Sequence, residues 1–297
     1  MNGIIDFFKV AVLSIVEGIT EFLPISSTGH LVLVNEFVKL SPKEFANAFS
    51  YIIQLGAILS VVVIYFHRLN PWKGPDHGGS KLPDRYAGWN RQTRIYYRIS
   101  HPDGATMDLW KKVIIGCIPG AVFGLALDDL IDAHLMTVPV VTTTLIVYGI
   151  IMIWMENRNA KRSLVKYEST AEVPYRIAFF IGLFQCLALI PGTSRSAATI
   201  IGAMALGASR MAAAEFSFFM AIPVMVGATG LKVVKNLGNY TAGQWMLILA
   251  GFVISFLVAY AVIQKFLSYI QKKDFKIFGY YRIALGLVLI IYMIFSM

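Results

Sequence analysis

Six apolar runs recur along the chain, at residues 45–66, 110–127, 138–155, 211–230, 246–266 and 283–295, and nothing else in the sequence restricts its fold so severely. Such runs belong in a bilayer, where every backbone N–H and C=O must find its partner inside the segment, so all six are read as transmembrane helices. With 57% of residues hydrophobic and 14% charged, no stretch is left for a separate soluble catalytic domain.

Two further apolar regions, 4–37 and 177–208, are interrupted near their middles by FLPISSTGH and LIPGTSRSA. Each is too long for one helix and too short for two crossings joined through water. They are read as re-entrant helical hairpins whose broken tips lie at membrane depth, which is tolerated only where protein or a polar cavity satisfies the freed backbone groups. Basic residues crowd 67–112 (Arg68, Lys73, Lys81, Arg85, Arg91, Arg94, Arg98, Lys111, Lys112), 158–166 and 265–282, whereas 128–134 carries Asp128, Asp129 and Asp132. The basic connections are therefore placed in the cytoplasm. Threading six spans through these assignments puts both termini outside, sends the first hairpin in from the outer face and brings the second from the cytoplasmic face. The expected fold is an all-α polytopic membrane protein, a single domain over 1–297. It comprises an inverted-topology repeat, 1–155 with a cytoplasmic loop at 67–112, then 156–297. Setting Pro24 against Pro191 pairs Ser27 with Ser194. Inverted repeats with broken helices carry their site at the midplane, where the halves meet.

The net charge of +9 is explained by these loops, and no basic helix or aromatic-basic motif points to nucleic acid. Cys117 and Cys186 lie in apolar segments at a spacing that fits neither a metal site nor a disulfide framework, so both are read as packing residues. Asp6 and Lys9 interrupt the first apolar run, and a cleaved signal is not expected.

The broken regions concentrate the chemistry. Glu17 and Glu21 stand at i and i+4 and share a helix face; Pro24 ends that helix and leads into Ser26, Ser27 and Thr28, with Gly29 in the turn and His30 expected to open the next helix. In the second region Arg195 is the one charged residue between 177 and 209, flanked by Thr193, Ser194 and Ser196, with a helix expected from about Ser196. An ionisable group at membrane depth costs roughly 2.5–3.5 kcal/mol on insertion scales, so several together argue for a function. Bland readings stand beside it: Arg195 paired with a carboxylate to hold two helices, the hydroxyls as helix caps, His30 as a packing residue. Hydroxyls, a guanidinium fork and a helix N-terminus converging in one place favour a phosphate site. A serine, a proton acceptor (Glu21 or His30) and a phosphate-binding arginine are the parts of phosphoryl transfer. Glu17 and Glu21 would repel a phosphate unless a divalent cation such as Mg²⁺ or Ca²⁺ bridged them to it, or one acted as a base. Other templates fail. The sequence holds no Walker A motif and no H-E-x-x-H, and lipid phosphatases that pair Ser-Gly-His with Ser-Arg need a histidine where Ile201 stands.

EGITEFLPISSTGH and PGTSRSAAT, with QLGAILSVVV between them and EFSFFMAIP after them, closely resemble the bacitracin-resistance type of undecaprenyl-pyrophosphate phosphatase over nearly the whole chain. The resemblance implies removal of the terminal phosphate of undecaprenyl pyrophosphate in the bacterial plasma membrane, returning the monophosphate carrier for cell-wall polymers. It also implies divalent-metal dependence and an outward-facing site. It places the acidic motif on Glu17 and Glu21, the hydroxyl turn on Ser26 to His30, and the arginine motif on Pro191 to Thr199 with Arg195. The polar loop 67–110 is longer than the family pattern. A polyprenyl pyrophosphate lipid and the membrane are the expected partners, and a second copy of the chain is a further one to test. From another class, a transporter or flippase for an anionic lipid would use the same repeats and Arg195, but it would not need Ser27 placed for attack. Whether Ser27 or a metal-activated water attacks stays open at this point.

Overall fold

The computed structural model describes residues 3–73, 88–161, 165–236 and 240–296; Lys81, Arg85 and Arg162, counted above among the basic connections, lie outside the described residues. Among the described residues the chain is helical throughout, apart from an isolated bridge between Tyr167 and Ala208. In chain order the helices are α1 (Gly3–Thr20), α2 (Ser27–Phe37), α3 (Lys43–Ile64), the short α4 (Phe66–Leu69), α5 (Arg91–Ser100), α6 (Gly104–His134) and α7 (Val138–Lys161). After them come α8 (Tyr175–Cys186) with a 3₁₀ turn at Leu187–Leu189, α9 (Arg195–Ala205), α10 (Arg210–Asn236), α11 (Ala242–Ile270) and α12 (Lys276–Ser296).

Six segments are long and apolar enough to cross a membrane, Lys43–Ile64, Gly104–Leu127, Val138–Asn159, Arg210–Gly227, Ala242–Ile270 and Lys276–Phe295, each overlapping one of the six apolar runs. The chain is a multi-span membrane protein. Two boundaries differ from the sequence reading. The stretch 128–134 belongs to the end of α6, so the connection to α7 is only 135–137. The connection 265–282 is likewise short, because α11 runs to Ile270 and α12 starts at Lys276, which puts Arg282 inside a spanning helix.

Lipid offers no hydrophobic gain for bringing helices together, so close contact depends on small residues and on polar groups that bridge helices. α7 packs along α12, α3 and α1 along α11, and α8 along α6. At the first contact a Cβ on Gly149 would lie 2.8 Å from the Gly279 carbonyl oxygen; at α1 a Cβ on Gly18 would lie 2.9 Å from the Ser255 oxygen. Polar bridges add direction. Ser255 Oγ donates to the Ile53 carbonyl at 2.6 Å, and the buried Glu156 accepts from Arg210 Nη2 at 2.6 Å and from the Phe275 backbone N–H at 2.9 Å. Phe22, in the first break, sits edge-on against Phe218 of α10 with centroids 5.3 Å apart, so the break itself belongs to the main core. Large exposed side chains such as Leu125, Leu249, Val288 and Phe295 lie on spanning helices, as a lipid-facing surface requires.

Candidate active site

Both breaks are built alike. The last helical bond of α1 is Glu21 N–H to the Glu17 carbonyl at 3.0 Å; Pro24, which has no N–H to give, follows, and the chain turns. Ser26 then takes φ 73°, ψ 98°, and its Oγ caps α2 by accepting from Gly29 N–H at 3.2 Å. In the second break Gly192 has φ 86°, and Ser194 takes φ 73°, ψ 122° with its Oγ accepting from Ala197 N–H at 3.3 Å. Ser26 and Ser194 are the non-glycine residues at positive φ among the described residues. Such conformations cost about 1–3 kcal/mol each and persist where the surroundings over-determine them.

This geometry corrects three readings. The helices start at Ser27 and Arg195, not at His30 and Ser196. Ser27, expected in the turn after Pro24, therefore occupies the first position of α2. By backbone conformation Ser194 matches Ser26, not Ser27, because the second break carries one residue more between its proline and its cap.

Side chains from the two breaks meet directly. Ser27 Oγ donates to Glu21 Oε2 at 2.8 Å. Glu21 Oε1 accepts from Arg195 Nη2 at 3.4 Å, a long one-pronged contact, while Arg195 Nη1 donates to the Ser217 carbonyl at 2.9 Å. Ser196 Oγ donates to the Leu23 carbonyl at 3.0 Å, tying the second break to the first, and lies 3.0 Å from Ser194 Oγ. Glu17 is 0% exposed and lies against Glu21; among the described residues no nitrogen or hydroxyl donates to its oxygens, and Arg195 Nε is likewise buried without an acceptor. Thr193 is buried beside Tyr148. Glu17, Glu21, Ser26, Ser27, Thr193, Ser194, Arg195 and Ser196 thus lie in the two breaks or at their junction. His30 points elsewhere: Nδ1 lies 2.7 Å from the Ser26 carbonyl and Nε2 2.7 Å from the hydroxyl of Tyr281. Thr28, partly exposed, makes no side-chain hydrogen bond to another described residue.

Three participants escaped the sequence reading. Ser217 of α10 holds the Arg195 fork and accepts from Thr199 Oγ1 at 2.7 Å; its signal was a hydroxyl inside an aromatic run, EFSFF. Tyr281 carried no signal. Arg282 was counted with the basic connection before it, although it stands six residues into an apolar helix. It is 0% exposed. Its Nη2 donates to the Gly192 carbonyl at 2.8 Å and the Thr144 carbonyl at 3.4 Å, its Nη1 to the Pro24 carbonyl at 3.3 Å and its Nε to the Leu145 carbonyl at 3.4 Å. No ion pair joins it to a carboxylate among the described residues. One guanidinium therefore spans both breaks and α7, and its acceptors include the Pro24 and Gly192 carbonyls at the two breaks.

Glu17 and Glu21 are the carboxylates at this junction that could hold a divalent cation. Among the described residues no three potential metal ligands cluster, but Mg²⁺ is commonly held by one or two carboxylates together with substrate phosphates and water. The buried, undonated oxygens of Glu17 suit such an ion.

Comparison with known proteins places the chain among relatives along nearly its whole length. The chain is 52% identical over 292 residues to the undecaprenyl-diphosphatase of Limosilactobacillus fermentum, covering 97% of this chain and 98% of that one. It is 49% identical over 292 residues to the undecaprenyl-diphosphatase of Lactiplantibacillus plantarum, covering 97% and 98%. It is also 47% identical over 291 residues to undecaprenyl-diphosphatase 1 of Clostridioides difficile, covering 98% and 97%. The family model described as Bacitracin resistance protein BacA matches residues 10–288, a span that contains both breaks, α10 and Arg282, and by that match the chain belongs to the bacitracin resistance protein BacA family.

Proposed function

We propose that this protein hydrolyses undecaprenyl pyrophosphate to undecaprenyl phosphate and inorganic phosphate, in an active site at the junction of the two breaks. The observation that carries the reading is the chain Ser27–Glu21–Arg195, in which a hydroxyl, a carboxylate and a guanidinium from two separate breaks touch at 2.8 and 3.4 Å. A structural ion pair accounts for Glu21 and Arg195 but leaves Ser27 donating into it without a purpose.

In this reading Ser27 Oγ attacks the terminal phosphorus and gives its proton to Glu21. The bond from that phosphorus to the bridging oxygen breaks, and the lipid monophosphate leaves with the oxygen. Water then cleaves the phosphoserine, releasing inorganic phosphate and returning a proton to Ser27. Arg195 meets the phosphate oxygens with its unpartnered Nε and the Nη2 now resting on Glu21, while the hydroxyls of Ser26, Thr28, Thr193, Ser194 and Ser196 and the N-termini of α2 and α9 surround the anion. Glu17 and Glu21 would hold a divalent cation, Mg²⁺ or Ca²⁺, which supplies charge neutralisation for the pyrophosphate.

The chain reads as a single domain of two inverted repeats, 1–155 and 156–297, with α1–α2 and α8–α9 as re-entrant hairpins. The matching caps at Ser26 and Ser194 support this, as do the reciprocal pairings of α1 with α11 and α8 with α6. Under that symmetry the buried Gln185 occupies in α8 the place of Glu17 in α1, since both stand nine residues before their cap serine.

The deciding experiment is phosphate release from undecaprenyl pyrophosphate by purified protein in detergent. Without a membrane gradient a transporter or flippase releases none. Arg195→Lys loses most of the activity while remaining folded by thermal scan, because a point charge cannot reproduce a two-pronged donor; near-normal turnover assigns Arg195 to the ion pair alone. Excess chelator abolishes release and added Mg²⁺ or Ca²⁺ restores it, whereas full activity in chelator removes the cation from the scheme. The site faces outward: a cysteine replacing Lys39 reacts with an impermeant thiol reagent on intact cells and one replacing Arg91 does not. Labelling at position 91 inverts the orientation.

A further inference from the structure

We propose that Tyr281 is a positioning residue of this site, its hydroxyl fixing the tautomer and direction of His30; the proposal rests on the phosphatase reading above and adds to it His30 as a second proton group beside Glu21. A backbone carbonyl can only accept, so the 2.7 Å contact of Nδ1 with the Ser26 oxygen requires the hydrogen on Nδ1. In the neutral ring the lone pair then lies on Nε2, and the Tyr281 hydroxyl 2.7 Å away must donate to it. One tautomer satisfies both contacts. If Nε2 gains a proton, the same hydroxyl turns from donor to acceptor, so the contact survives either charge state. The two rings are held nearly parallel, 5° apart with centroids 5.5 Å distant, so the phenol also fixes the plane of the imidazole.

The placement follows from neighbours already in the site. The Ser26 carbonyl belongs to the strained cap of α2, and Tyr281 precedes Arg282, whose guanidinium holds the Pro24 and Gly192 carbonyls. One turn of α12 therefore sets both breaks and the imidazole. Ser27 gives its hydrogen to Glu21, so His30 is not its acceptor in this arrangement. It stands as a separate proton group whose second ring nitrogen meets Tyr281. Such a ring works only if it is held in one tautomer, and Tyr281 is the group that holds it.

Tyr281→Phe keeps the stacked ring and removes only the hydroxyl. In detergent with undecaprenyl pyrophosphate, its turnover falls by about tenfold, below the 10²–10⁴ that a positioned proton-transfer group supplies in full, with KM within about twofold. Because the effect passes through His30, the double variant with His30→Gln is no slower than His30→Gln alone. Effects that multiply overturn the proposal. A second readout needs no turnover. In ¹⁵N-histidine-labelled protein, with His30 assigned by its loss in His30→Gln, the wild type shows a single Nδ1–H tautomer and Tyr281→Phe a mixture. An unchanged tautomer in Tyr281→Phe overturns the proposal even in a protein that releases no phosphate, and that silence by itself counts against the phosphatase reading and not against the Tyr281–His30 contact.

Discussion

Ser27→Ala lowers phosphate release by more than about a hundredfold, a barrier increase above roughly 2.7 kcal/mol, and leaves substrate binding near wild type. The size of the loss is set by chemistry, because a methyl group at the first position of α2 disturbs neither the Ser26 cap nor the hydrogen bonds of Ser196. What disappears is the hydroxyl that donates to Glu21. Acid quenching during turnover of substrate labelled in its terminal phosphate leaves label on Ser27 in the wild-type protein. A variant that keeps more than about a hundredth of the rate assigns the attack to a water molecule and leaves Ser27 as a hydrogen-bond donor to it.

Arg282→Met inactivates the protein by a different route, through the shape of the site. Two effects oppose each other. Burying a charge without a carboxylate partner is costly, and an apolar side chain of similar length relieves that cost. Against it, the Pro24 and Gly192 carbonyls in the two breaks lose their donor, at about 1–3 kcal/mol for each left unsatisfied, whereas the Thr144 and Leu145 carbonyls, inside α7, keep their helical partners. Their sum, a few kcal/mol, is a large fraction of the stability of an ordinary domain. The second effect wins. The unfolding temperature in detergent falls steeply and turnover is lost with it, while Arg282→Lys, which cannot fan its donors over four acceptors, lies between the two. An unfolding temperature and turnover matching wild type in Arg282→Met show that the carbonyls find other partners and that the arginine is dispensable.

The six crossings were legible because hydropathy is a property of consecutive residues, and their helical form follows from the backbone's need for internal partners. Both interruptions were legible too: Pro24 and Pro191 cannot continue a helix ladder, and the serines after them are strong caps. The register of the second break was not, since one added residue ahead of Ser194 moves the cap without altering composition. Arg282 misled for a related reason. It follows Lys272, Lys273 and Lys276, so charge counting places it in the connection, whereas α12 has already begun and carries it alongside α7 at Leu145.

By itself, then, the sequence determined a multi-span helical membrane protein with two broken regions and a set of acidic, hydroxyl and guanidinium groups at those breaks, all of them properties of neighbouring residues. Only the tertiary structure decided which of these groups touch. Arg195 reaches Glu21 across 174 positions, His30 reaches Tyr281 across 251, and Arg282 reaches Pro24 across 258. Such contacts depend on how helices are rotated against one another, which is set by close approaches such as Gly149 to Gly279 and by buried polar bridges. No local pattern along the chain encodes that rotation.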